Sequence, residues 1–229
     1  MGQQDKDRLR QLTGGNAYTT GQVQQNSDGT WTVVGDLKIL APFDRSGVRF
    51  KDVMGGTLHA TGAGLTTLAG FPSIVRSSCF VGDNQLTSLE GAPQVVSLMF
   101  SCKDNQLESL EGAPEVAGMM NVSSNRLTTL EHLPKHLKLL IAADNPFESL
   151  SHLEGSGLGK IQLEWQPKLG LLPLLYCQEV DILGGPDGTP VETIEKLNSI
   201  LKEYLSRGIS AALELAAELA NAGFKDNAH

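Results

Sequence analysis

Hydrophobic and polar positions recur along this chain with a period of 20 or 21 residues. The segments FVGDNQLTSLEGAPQVVSLM (80–99), FSCKDNQLESLEGAPEVAGMM (100–120), NVSSNRLTTLEHLPKHLKLL (121–140) and IAADNPFESLSHLEGSGLGK (141–160) align without gaps in their central phrase. Asn84, Asn105, Asn125 and Asn145 share one column, spaced 21, 20 and 20 residues apart. Two and five residues after the Asn stand Leu86/Leu89, Leu107/Leu110, Leu127/Leu130 and Phe147/Leu150, and nine after it stands Pro93, Pro114 or Pro134. Upstream, GLTTLAGFP (64–72) keeps Leu65, Leu68 and Pro72 in register, with Ala63 in place of the Asn. Self-similarity at a fixed short period predicts a stacked repeat array rather than one irregular core.

Before each Asn the pattern alternates, as a half-buried strand requires. Cys79 and Val81, Phe100 and Cys102, Met120 and Val122, and Leu140 and Ala142 are expected to face inward, and the residues between them outward. The sum of these columns, roughly L-x-L-x-x-N-x-L-x-x-L, resembles the leucine-rich repeat signature. The fold class expected is therefore an α/β repeat: a leucine-rich repeat solenoid with one parallel strand per coil of 20–21 residues. A structural role is expected for the Asn column, because a side-chain amide at the turn can bridge backbone groups of neighbouring coils. Flanking segments extend the array. TWTVVGDLKILAP (30–42), GTLHATG (56–62), KIQLEW (160–165) and EVDIL (179–183) read as further strands, which gives about seven or eight coils over 31–185 with degenerate ends.

The two termini differ from the array. Residues 1–30 are polar and Gln-rich, with Leu9 and Leu12 able to nucleate a turn of helix at most, and read as a flexible or loosely docked arm. The alternative is an arm that reaches a neighbouring molecule. Over 186–229 the pattern turns helical. Thr189-Pro190-Val191-Glu192 reads as a capping box, and Val191, Ile194, Leu197, Leu201 and Leu205 recur at helical spacing. A second helix runs from Ile209 to about Ala222, with Gly223 placed for a left-handed C-cap. This hairpin is expected to shield the open end of the last coil. The competing reading leaves Leu213, Leu215 and Leu219 free for a partner helix.

The wording of the repeats resembles leucine-rich repeat proteins encoded by tailed bacteriophages, in which the phrase N-x-L-T-S-L-E-G-A-P is iterated. Here it stands nearly intact at 84–93 and 105–114, and LPLL (172–175) and AGFKDNA (222–228) resemble the tail of the same group. The likeness covers about 65–229, while 1–55 do not match. The third unit departs, with EHLPKHLK (131–138) nearer the repeats of bacterial secreted leucine-rich effectors. Those effectors carry a large C-terminal ligase domain with a nucleophilic Cys, for which the stretch after Gly185 leaves no room. The resemblance implies an origin and an architecture, and no common activity.

Composition sharpens this picture. The 229 residues carry 25 Gly, as one turn per coil requires, and a formal net charge of −8. That charge argues against unaided binding to nucleic acid or to an anionic membrane. No apolar run is long enough for a membrane span, and MGQQDKDRLRQ has no hydrophobic signal core, so secretion by a signal peptide is not expected. Three Cys without a CxxC suit a reducing compartment, with Cys79, Cys102 and Cys177 as core thiols. His132 and His136 are separated by Pro134, which forbids the helix that would aim both at one metal. GGPDGT (184–189) lacks the Lys and spacing of a phosphate loop. Glu90, Glu111 and Glu131 stack in one column too far from the strand face for paired acid–base work. No catalytic constellation, cofactor or metal is expected.

What a solenoid offers is a broad strand face. Its outward columns read His59, Phe80, Ser101, Asn121, Ile141 and Gln162, and then Thr61, Gly82, Lys103, Ser123, Ala143 and Glu164. Phe80 and Ile141, with Trp165 at the edge, are apolar where solvent is expected, and together with His59, Lys103 and Asn121 they form the candidate partner-binding set. Asp83, Asp104 and Asp144 add a negative stripe beside the Asn turn. The expected function is non-enzymatic protein–protein contact, as a virion accessory, decoration or connector protein bound to capsid or tail. The alternative is an intracellular factor that binds and inhibits a host protein, which makes virion or host cytoplasm the expected location. Self-association is compatible with both.

Overall fold

The computed structural model describes residues 2–43, 46–135 and 137–229. Its backbone winds through about eight coils of a parallel-strand solenoid, closed at the C-terminal end by helices. The principal row of strands comprises β4 (Leu37–Ile39), β6 (Leu58–His59), β8 (Cys79–Phe80), β9 (Val95–Ser101), β10 (Val116–Asn121), β11 (Leu139–Ile141), β12 (Lys160–Glu164) and β13 (Glu179–Gly184). Each pairs in parallel with the next. Register places Leu37, Leu58, Cys79, Phe100, Met120, Leu140, Ile161 and Val180 in one buried inward column. The Leu pairs after each Asn and the Pro of each return segment close the core from the other side.

Beside this row lies a shorter second one, which the sequence reading did not include. It is made of β3 (Trp31–Val34), β5 (Phe50–Met54), β7 (Ile74–Val75) and the first residues of β9 and β10. Val33, Val53, Val75, Val96 and Ala117 form its buried column. Strands β9 and β10 bend through both rows, and between them the register shifts around Gly118. There Ser97 and Leu98 oppose a single residue, and a Cβ on Gly118 would lie 2.7 Å from the Leu98 carbonyl oxygen. The drop in repeat length from 21 to 20 residues is absorbed at this bulge.

The N-terminal segment corrects the expectation of an arm. It folds into helix α1 (Gly2–Leu12) and strands β1 (Ala17–Thr19) and β2 (Gln22–Gln25), which pair antiparallel with β4 and β3. The polar composition hid three anchors. Leu9, Ala17 and Val23 are buried, and the Thr13 hydroxyl joins helix to strand by donating to the Leu9 carbonyl at 3.0 Å and accepting from the Ala17 amide at 3.2 Å. Leu12 stays exposed. The antiparallel hairpins satisfy the backbone that the first coil would otherwise leave open.

At the other end, α2 (Val191–Leu205) packs on β13 and buries Leu197, Ile200, Leu201 and Tyr204. Its N-terminus has no capping box. The Thr189 hydroxyl donates to the Pro186 carbonyl at 2.6 Å to close the preceding turn, and Val191 is exposed. Helix α3 (Ala212–Asn221) buries Leu215 and Leu219 and ends at Gly223 with φ of 99°. There the Phe224 amide donates to Leu219 and the Gly223 amide to Ala220, the six-to-one and five-to-two bonds of a Schellman stop. Of the three residues considered for a free helical face, only Leu213 is exposed.

The last strand would present an open edge, and one side chain closes part of it. Asn198 on α2 accepts from the Ile182 amide at 2.8 Å and donates to the Ile182 carbonyl at 2.9 Å, both bonds a further strand would make.

Candidate functional site

The turn column positions the strand face. The Nδ2 of Asn105 donates to the carbonyls of Val81 (3.1 Å), Cys102 (3.0 Å) and Lys103 (3.2 Å), while its Oδ1 accepts from the Leu86 amide at 2.9 Å. Asn84, Asn125 and Asn145 make the corresponding bonds one coil apart. Each amide thus ties its own coil to the preceding one, and Gln166 takes over at the next coil by donating to the Asn145 carbonyl at 2.5 Å. The residue before each Asn has φ of 52–55° in Asp83, Asp104, Ser124 and Asp144. Asp tolerates this left-handed conformation better than most side chains, so the acidic stripe has a backbone reason independent of any ligand. Lys103 further offsets it with a 3.0 Å ion pair to Asp104.

With the coils fixed, the outward columns form a continuous strip. Its central column continues beyond both ends of the sequence-derived set, from Tyr18 and Lys38 through His59, Phe80, Ser101, Asn121, Ile141 and Gln162 to Asp181. His59 and Phe80 stack with ring centroids 5.7 Å apart, and the Lys38 ammonium lies 5.8 Å from the Tyr18 ring centroid. Ser101 is buried, and Asn121 accepts from the Ser123 amide at 3.0 Å. Two residues earlier on the same face, Met99, Met119 and Leu139 stand in register and half-buried, with Leu98 exposed beside them. Phe80, Leu98, Met99, Met119, Leu139 and Ile141 therefore make one apolar patch across four coils. Met99, Met119 and Leu139 are the members sequence reasoning missed. Their signal was a hydrophobic residue six positions before Asn105, Asn125 and Asn145, hidden because it adjoins an inward one.

Trp165 does not belong to this patch. Its ring meets Phe224 edge-on at 5.7 Å, and its Nε1 donates to Asn227 Oδ1 at 3.2 Å. Asn227 is buried and also donates to the carbonyls of Gln166 and Leu169, so the C-terminal segment packs against one part of the half-buried indole. Trp165 stands where the chain leaves the strand face, and a large ring there fills the step between coil and cap.

Charge collects at the C-terminal end of the strip. Lys160 Nζ lies 2.7 Å from both Glu179 and Asp181, and Gln162 donates to Asp181 at 3.0 Å. The Lys160 ammonium and the Gln162 amide hold the Asp181 carboxyl below its usual range, and the hydrogen-bonded carboxylates of Asp181 and Glu179 raise Lys160. The thiols behave differently. Burial pushes Cys102 and Cys177 up to about 12, and it raises Cys79 as well, so all three are held as thiols in the core. His132 lies exposed at the return turn with φ of 65°, in the column where Gly91 and Gly112 stand, and His136 lies outside the described residues. Glu90 and Glu111 line a groove of about 740 Å³ formed by the Gly-Ala-Pro turns, at the edge remote from the Asn column. Among the described residues, no three His, Cys, Asp or Glu side chains are placed to hold a metal ion, and no helix is long and apolar enough to cross a membrane.

The chain matches no family model, curated protein or solved structure.

Proposed function

We propose that this chain is a non-enzymatic protein–protein interaction scaffold of the leucine-rich repeat kind, carried as an accessory, decoration or connector protein by the virion of a tailed bacteriophage. The observation that carries the reading is the apolar patch of Phe80, Leu98, Met99, Met119, Leu139 and Ile141 on the strand face. Large apolar side chains set on a rigid sheet bind with little ordering cost, which suits them as anchors for a protein. The net charge of −8 disfavours nucleic acid as the occupant, and the NQLTSLEGAP phrase supplies the likeness to phage proteins.

Quantitative mass spectrometry of purified virions tests this. Copies in simple ratio to capsid or tail proteins are expected, and Phe80→Asp with Ile141→Asp should remove the protein from the particle. Absence from virions with abundance in infected cells would refute the virion role and leave a binder of host protein.

A further inference from the structure

The central column of the strand face, followed from one end to the other, is close to its own complement in reverse. Lys38 stands one row from the N-terminal end and Asp181 in the last row, so a second copy turned about a two-fold axis parallel to the strands sets cation against anion at both ends. The same rotation sets Phe80 opposite Ile141, apolar on apolar, and His59 opposite Gln162, two hydrogen-bonding groups. The axis passes between Ser101 and Asn121, where small polar side chains let the faces approach. In the neighbouring column Met99 meets Met119 across the axis, and thioethers adapt well to such a contact.

We infer that the occupant of the strand face is a second copy of this chain, docked antiparallel through these columns. The inference rests on the reading of the strand face as a docking surface. Asp181 is set in place for its partner by Lys160 and Gln162, and Lys38 by the Tyr18 ring. Two like-charge encounters follow: Asp36 against Glu179, relieved because Lys160 lies against Glu179, and Asp83 against Asp144 at the exposed edge beside the Asn turns, where water screens them. Eight rows from Lys38 to Asp181, each about 4.8 Å wide, and a width of three outward positions cover roughly 500 Å² on each copy. The total of about 1,000 Å² lies at the lower limit for a specific interface, so a dimer with micromolar Kd is expected.

Sedimentation equilibrium of the full chain, up to about 200 μM at low ionic strength, measures this directly. The wild type should dimerise, and Phe80→Asp with Ile141→Asp should weaken the dimer about 100-fold with an unchanged far-UV spectrum. Lys38→Glu and Asp181→Lys should each weaken it about tenfold, and an equimolar mixture of these two variants should regain wild-type affinity, because each restores the other's pairs. A simple folding defect could not be rescued by mixing. A wild type monomeric at every concentration overturns the second copy as occupant, while the virion measurement still judges the docking face itself. A dimer indifferent to Phe80→Asp with Ile141→Asp, or a mixture that fails to recover, overturns the antiparallel arrangement.

Discussion

Replacing Asn105 by Ala perturbs one rung of the turn ladder, and the structure fixes what each broken bond costs. The three carbonyls that Asn105 serves keep other donors: Val81 keeps Asn84 at 2.9 Å, Cys102 keeps Asn125 at 3.1 Å and Lys103 keeps the Asp83 amide at 3.0 Å. The Leu86 amide loses its acceptor, and in this buried setting an orphaned N–H costs about 1–3 kcal/mol. Asn105→Ala should therefore destabilise the fold by about 2 kcal/mol. Asn105→Ala with Asn125→Ala is a different case, because Cys102 then loses both of its side-chain donors and the Leu107 amide loses its acceptor. The double variant should exceed the sum of the two singles by about 1 kcal/mol. Urea unfolding followed by circular dichroism gives the global values, and amide exchange at Leu86 reports the local opening. A loss below about 0.5 kcal/mol for the single variant, or strict additivity in the double, would refute the account of shared carbonyls.

Leu107→Ala should cost about 2–5 kcal/mol, since the side chain is fully buried in the repeat core, and a thermal melt within a degree of wild type would contradict the alignment of coils. Ser124→Gly should raise stability by a few tenths to about 1 kcal/mol, because φ of 54° strains a side chain that glycine lacks; a loss of stability in the same urea titration would sink the strain argument. The three thiols should resist Ellman's reagent in the folded protein at pH 8, well below the value of about 12 to which burial pushes Cys102 and Cys177, and react once urea unfolds the chain. Rapid labelling without denaturant would place at least one of them at the surface.

Much of the solenoid could be derived from columns of residues with a single physical job. Asn at the turn, Leu two and five positions on, and alternation before it each answer one requirement, and they recur often enough to align. The second strand row escaped because β7 spans only two residues, Ile74 and Val75, too short to show alternation. Helix α1 escaped because Leu9 is its one buried apolar side chain, and its docking relies on the Thr13 hydroxyl and on strand pairing that leaves no hydrophobic pattern. On the strand face, Phe80 and Ile141 were legible as apolar residues in an outward column. Met99, Met119 and Leu139 were not, since an apolar doublet does not declare which member faces out. The packing of Trp165 was hidden for a non-local reason: its neighbours Phe224 and Asn227 arrive about sixty residues later in the chain.

The Asn ladder has one more consequence, for how such a chain can change over generations. Every rung bonds within its own coil and to the coil before, with the same partners at each step, so no rung depends on its distance from either end. The phrases at 84–93 and 105–114 differ in a single residue, which makes the coding segments natural substrates for unequal recombination. A duplicated coil would insert with its bonds already specified, and the N-terminal hairpins and the Asn198 stop would meet the same neighbours as before. Array length is thus a heritable variable that changes in whole coils, and each change adds or removes one complete row of the outward face.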